Sequence, residues 1–310
     1  MKSAVERDRL QHAFRYHGRE DIRMKTEVQK ILESEHLTEA AALPLSACRL
    51  IAPHKLNRFP GGASALQSVL VFLVPYFAGN AEERNLSLYA VARDYHLYFA
   101  GLFRRLQDSF SALFPDNYFL GGGDSSAIDE RHAAASAGLG IIGDNGLLIH
   151  PVYASLIFIG EIYSDLPVKS YYLSGEPIPL TSPKSCEHCG QCRKACPIYE
   201  NPFGITECLS SVTQMKKWEN PHFPAYLKRY GSAWGCDICQ ISCPHTVSAM
   251  RNKSALSPIP FFREQLIWHL TAQQIQDMPD SAFAERAYAW KKKACIQRNL
   301  SVLEESTEQT

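Results

Sequence analysis

The chain has 310 residues, 45% apolar and 21% charged, ordinary usage for a folded globular protein and not for a disordered or fibrous one. Its 32 basic side chains balance 32 acidic ones, so no overall basic excess marks it as a dedicated nucleic-acid binder. No apolar run reaches the ~18 residues that a membrane helix needs. The charged start (Lys2, Glu6, Arg7, Asp8, Arg9) is unlike a secretory leader. The expected compartment is therefore a reducing cytoplasm. There, ten cysteines point to metal or redox chemistry rather than to a disulfide framework.

Residues 6–17 and 25–35 are charged and helix-compatible. A short apolar stretch at 46–53 suggests a strand, and Asn57-Arg58-Phe59-Pro60-Gly61-Gly62 is a turn signal. Residues 68–75 form a β-branched apolar run without alternation, the pattern of a strand buried on both faces. Residues 86–114 resemble one long helix. A strand at 117–120 runs into Gly121-Gly122-Gly123, and a helix is expected over 128–137. Glycine-rich 138–146 leads into strands at 147–149 and 154–163. Strands interleaved with helices imply an α/β or α+β core. Near Pro167 the character changes. Residues 180–250 hold eight cysteines and little strand pattern, and helices are expected over 267–275 and 282–300.

The first cysteine motif is Cys186-x2-Cys189-x2-Cys192-x3-Cys196-Pro197. The second is Cys236-x2-Cys239-x3-Cys243-Pro244, with Cys208 upstream. Three closely spaced thiolates can wrap one cubane, while the fourth, followed by proline, points to a neighbouring cluster. By that two-cluster pattern, Cys186, Cys189, Cys192 and Cys243 hold cluster I. Cys196, Cys208, Cys236 and Cys239 hold cluster II. Zinc also takes Cys-x2-Cys pairs, but it does not need the run ending in Cys-x3-Cys-Pro. Cys48 and Cys295 remain as buried thiols. No Walker loop is present. Gly138-x-Gly140-x2-Gly143 has dinucleotide spacing but precedes a strand where that motif should open a helix, so nicotinamide binding is not expected. The long segment before the cysteines suggests that the clusters feed electrons to something bound there.

Taken in order, Tyr89-Ala90-x3-Asp94-Tyr95-His96, Asp124-Ser125, 138–145, Phe158-x-Gly160-Glu161-Ile162-x2-Asp165-Leu166-Pro167, both cysteine motifs and Arg298-Asn299 resemble the epoxyqueuosine reductase family. That resemblance covers roughly residues 45–302. It implies an N-terminal α/β (α+β) region like the corrinoid-binding core of reductive dehalogenases. A ferredoxin-like module with two [4Fe–4S] clusters and C-terminal helices should follow. The implied domains are 1–175 for corrinoid and substrate, 176–255 for the clusters, and 256–310 packing back on the core. The implied activity is reduction of epoxyqueuosine to queuosine in tRNA, with base-off cobalamin and an external flavodoxin- or ferredoxin-type donor. Asp124 would protonate the leaving oxygen. Tyr95, His96, Gly140, Gly143 and Asn145 would approach the corrinoid or substrate. A monomer without membrane attachment is expected. Ala127 stands where the family usually has proline, and Asp144 where it usually has lysine. The competing readings are a paralogue with another substrate, an electron-transfer protein that has lost corrinoid, and a dehalogenase-like reductase.

Overall fold

The structure, a computed structural model, describes residues 24–175, 180–182 and 184–305, so the helix expected over 6–17 lies outside the described residues. The chain forms two compact units. One comprises Met1–Pro75 with Phe99–His188, the other Tyr76–Tyr98 with Cys189–Thr310.

The first unit is built on a four-stranded sheet of order β1-β2-β6-β3, from β1 (Ala40–Pro44), β2 (Ser68–Pro75), β3 (Phe119–Gly123) and β6 (Ile157–Ser164). Every pairing in it is antiparallel, so the class is α+β. β2 is buried along its whole length, as its unbroken apolar run requires. A two-stranded ribbon, β4 (Ile141–Ile142) with β5 (Leu148–Ile149), folds the glycine-rich segment into a hairpin. The strand expected at 46–53 is not there. The chain makes short 3-10 turns at Leu45–Ala47 and Pro53–Arg58, and the edge strand is the alanine-rich β1 just upstream. Alanine carries almost no strand propensity, so pairing with β2 decides that position.

Helices α1 (Thr26–Ser34), α2 (Tyr95–Leu113) and α3 (Glu130–Ser136) precede the cysteine region. Leu102, Leu106 and Phe110 of α2 recur at helical spacing and are fully buried. The helix expected over 86–114 starts only at Tyr95. Its first part is occupied otherwise: the Ser87 amide donates to the Trp234 carbonyl at 2.8 Å, and only a single 3-10 turn forms at Leu88–Ala90.

The second unit is helical. It contains α4 (Gln191–Ala195), α5 (Leu209–Gln214), α6 (Phe223–Tyr230), α7 (Ile238–Ile241), α8 (Pro244–Arg251), α9 (Ala272–Asp277), α10 (Asp280–Ala284) and α11 (Lys293–Glu304). Thr271 opens α9 with a capping box, so that helix starts five residues later than expected. The helix expected over 282–300 is broken. Lys292 sits at φ +69°, and the chain restarts there as α11. Trp234, Tyr288, Ile296 and Leu300 share one core cluster, and Asn299 locks α11 by donating to the carbonyls of Thr213 (2.7 Å) and Ala233 (2.9 Å).

Candidate active site and cysteine centres

Asp124 follows β3 directly. The Ser125 amide donates to the Gly123 carbonyl at 2.6 Å, closing a three-residue turn with Asp124 at its apex and φ +58°. A side-chain-bearing residue pays for that left-handed backbone, and the three-residue turn of this hand is rare. Two of the three glycines before it are needed by space rather than by φ. A Cβ on Gly121 would lie 2.3 Å from Phe103, and one on Gly122 would lie 2.8 Å from Tyr163. β3 can therefore lie flat against its neighbours and deliver Asp124 to the surface, where it is exposed.

Around this turn the unit collects acids. Glu161 of β6, opposite Gly122, is completely buried. Its carboxyl accepts from Ser126 Oγ (2.8 and 2.6 Å) and from the Tyr163 hydroxyl (2.5 Å). Burial pushes its pKa up to about 7, against the pull of the two hydroxyl donors. At the start of α3, burial pushes Glu130 up to about 8, helped by the charges of Glu161 and Asp124. One Glu130 carboxyl oxygen, Oε2, is buried without a hydrogen-bond partner.

The glycine-rich loop has a structural use of its own. Asn145 Oδ1 accepts from the Leu147 amide at 3.3 Å inside the β4–β5 turn. A Cβ on Gly140 would meet the Ile149 carbonyl oxygen at 2.7 Å, and one on Gly143 would meet Asn145 Oδ1 at 2.6 Å. In the other unit, Tyr95 and His96 stack with ring centroids 4.1 Å apart, and His96 Nδ1 lies 2.8 Å from Asp94 Oδ1.

Of the eight motif cysteines, Cys186 belongs to the first unit and the rest to the second. Cys196, Cys208, Cys236 and Cys239 act on one another. Burial raises Cys196, and Cys208 adds to it. Burial pushes Cys236 up to about 12, with Asp237, Cys208 and Cys239 adding. Burial pushes Cys239 up to about 11, with Cys196, Cys208 and Cys192 adding. Thiols gathered in this way resist becoming thiolates until a cation balances them, and iron supplies that charge. The donor set thus fits an iron–sulfur cluster. Asp237, wholly buried between two of these cysteines, steadies their loop. It pairs with Arg84 and accepts from the Leu88 amide at 2.8 Å. Nothing in the sequence signalled that role.

Cys186 donates its amide to the Ile142 carbonyl at 3.0 Å. Its sulfur, Asp144 and His188 offer ligand atoms all within 4.8 Å of one another, and His188 Nδ1 sits 2.7 Å from Asp144 Oδ1. Residues 44 positions apart leave no local signature. Cys48 and Cys295 stand apart from the motifs. Burial pushes Cys48 up to about 12, and the Cys295 thiol points at the carbonyls of Thr213 and Met215.

No protein-family model matches the chain. An epoxyqueuosine reductase from Gloeobacter violaceus is 28% identical over 244 residues, which are 75% of this chain and 72% of that protein. One from Listeria monocytogenes is 28% identical over 68% of this chain and 54% of its own. One from Synechocystis is 30% identical over 60% and 63%. The chain is thus similar to epoxyqueuosine reductases over as much as three quarters of its length. It spans little more than half the length of some relatives, such as the Listeria protein. Solved epoxyqueuosine reductases share the fold. That from Streptococcus thermophilus superposes with a TM-score of 0.66 at 20% identity, covering 89% of this chain and 80% of that one. That from Bacillus subtilis, solved with its catalytic aspartate loop swung out of the active site, gives 0.65 at 18%. Another, solved with an epoxyqueuosine-modified tRNA-Tyr stem loop, gives 0.65 at 19%.

Proposed function

We propose that the chain is an oxidoreductase that reduces epoxyqueuosine to queuosine in tRNA, using two [4Fe–4S] clusters and cobalamin. The observation that carries this reading is the similarity, over three quarters of the chain, to proteins of that activity. The solved relative holding an epoxyqueuosine-modified stem loop supports tRNA as the substrate. No described helix is long and apolar enough to cross a membrane, which agrees with a cytoplasmic tRNA-modifying enzyme. The electron donor is an external protein of flavodoxin or ferredoxin type, and the chain acts as a monomer.

Residues 1–175 take corrinoid and substrate, 176–255 carry the clusters, and 256–310 form the closing helical segment. Cys186, Cys189, Cys192 and Cys243 hold cluster I. Cys196, Cys208, Cys236 and Cys239 hold cluster II. When bound, the clusters and cobalamin supply the electrons for reduction. Gly140, Gly143 and Asn145, and in the other unit Tyr95 and His96, are the residues that would contact corrinoid or substrate when bound. Asp124, exposed at its turn apex, donates a proton to the oxygen freed when the epoxide opens, because charge developing on that oxygen is stabilised by a positioned acid.

In anaerobically purified protein, Asp124→Asn is expected to keep iron and cobalamin while turnover of a modified stem loop falls by about 10²- to 10⁴-fold. Turnover equal to the unaltered protein would remove Asp124 from the chemistry. Unaltered free-cobalamin spectra at excess protein would reject corrinoid dependence.

A further inference from the structure

We infer that Glu161 is a positioning residue: through Ser126 and with Tyr163 it anchors the turn that carries Asp124. The inference rests on the acid role proposed for Asp124 and adds to it the part that holds the acid in place.

The turn has a strained apex and little else of its own. Asp124 is at φ +58°, and the three residues before it are glycines, which contribute no side chain to hold the segment. A strained conformation persists only where its surroundings impose it. Here hydrogen bonds from both sides impose it. On the solvent side, Lys55 Nζ donates to the Ser125 carbonyl (2.8 Å) and Oγ (2.6 Å), and Arg58 donates to the Gly121 carbonyl at 3.0 Å. Arg58 is exposed and Lys55 partly so, so water competes with them.

On the inner side the attachment is dry. Ser126, two residues after Asp124, is 6% exposed and Glu161 is 0% exposed. Ser126 Oγ donates into the Glu161 carboxyl, lies 3.0 Å from the Tyr163 hydroxyl, and accepts from the Ile128 amide at 3.0 Å. A hydrogen bond to an ionisable partner away from water is among the stronger single contacts available. The backbone on the far side is also fixed. The Ala127 carbonyl accepts from the Ile51 and Ala52 amides, at 2.9 and 3.0 Å. Asp124 and Ser125 are thus the exposed tip of a segment whose next residue is bolted to the sheet. In the Bacillus subtilis relative the catalytic aspartate loop is the part that swings out. In this chain, the Ser126–Glu161 contact is what such a movement would have to release.

The test uses full-length, cluster-loaded protein. Ser126→Ala and Glu161→Gln are compared with the unaltered chain by amide hydrogen exchange across residues 123–127. Steady-state reduction of an epoxyqueuosine-modified tRNA-Tyr stem loop is followed in parallel. Exchange at 124–127 should rise about tenfold or more, as expected for the loss of one buried hydrogen bond. The kcat should fall while KM for the stem loop stays unchanged, and Ser126→Thr, which keeps the hydroxyl, should restore both. If Glu161→Gln does not fold, Ser126→Ala decides alone. Unchanged exchange at 124–127 in Ser126→Ala would overturn the anchor, and so would a loosened turn with unchanged kcat where Asp124→Asn is inactive. If Asp124→Asn itself turns over normally while Ser126→Ala loosens the turn, the acid role falls and the anchor stands.

Discussion

Glycines 121 and 160 show how tightly single residues are specified around the candidate site. A Cβ at Gly160 would lie 2.4 Å from Phe72, and one at Gly121 would lie 2.3 Å from Phe103. Gly121→Ala and Gly160→Ala should each lower stability by about 1–3 kcal/mol through overpacking. A urea midpoint, with the slope unchanged, reads this directly. The cysteines divide in the same way. Cys295→Ala is expected to leave the iron-to-protein ratio of anaerobic material unaltered, since its thiol meets the Thr213 and Met215 carbonyls and the Arg298 guanidinium rather than a motif cysteine. Cys236→Ala should lower that ratio, since Cys236 sits among the other thiols of its set. The cysteine runs were legible in the sequence because ligand spacing is local. Glu161 was not. It reads there as a structural acid satisfying loop backbone, because its partner Ser126 is 35 positions away and the contact leaves no local signature.

Elements were legible where one signal dominated. The apolar run of β2 predicted its strand to the residue, and the helix expected over 128–137 is α3, which the structure caps at Asp129 through the His132 amide. The strand expected at 46–53, in place of which β1 lies at Ala40–Pro44, and residues 86–94 of the expected 86–114 helix were misread. There, tertiary pairing overrides weak local preference. The pairing of β3 and β6 against α3 also has a consequence for pH. Glu161 and Glu130 both bind protons more tightly in the folded chain than in the unfolded one, at about 7 and about 8. Unfolding releases both acids to ordinary carboxyl acidity, so the unfolded state holds fewer protons between these limits. As far as these two groups are concerned, their contribution to stability is full at and below about pH 4.5. It declines as pH rises through 7 to 8, by an amount of order a few kcal/mol since each tenfold difference in acidity is worth about 1.4 kcal/mol. Denaturant titrations from pH 5 to 8 should show that decline, and Glu130→Gln should flatten it. A decline as steep in the variant would assign the effect elsewhere.

At the scale of the molecule, the two units carry different kinds of order. The first has a continuous sheet whose strands support one another. The second is assembled from helices of four to twelve residues, lengths at which helices rarely persist alone in water. Its cysteine set is therefore expected to lend folding energy as well as chemistry, because metal affinity for a site absent in the unfolded chain appears as stability. Stripping iron with a chelator should raise amide exchange across 189–251 by at least about tenfold while β2 and β6 keep their protection. Equal protection in both regions would show that the cysteine unit stands without metal. The balance of 32 basic and 32 acidic side chains hides local concentrations. Lys216 and Lys217 are exposed beside Trp218, over which Arg298 lies at 3.9 Å, an arrangement that overall charge alone did not suggest.

The tight turn at Asp124 also bears on how the protein ages. An aspartate followed by serine converts to isoaspartate when the next backbone nitrogen attacks the side-chain carbonyl, through a five-membered imide. Here that nitrogen, Ser125 N, is engaged with the Gly123 carbonyl at 2.6 Å. The residue on which turnover is proposed to depend is thus shielded from a common chemical lesion. Mass-spectrometric peptide mapping after prolonged warm storage should find isoaspartate at this position rarely in the unaltered chain and more often in Ser126→Ala.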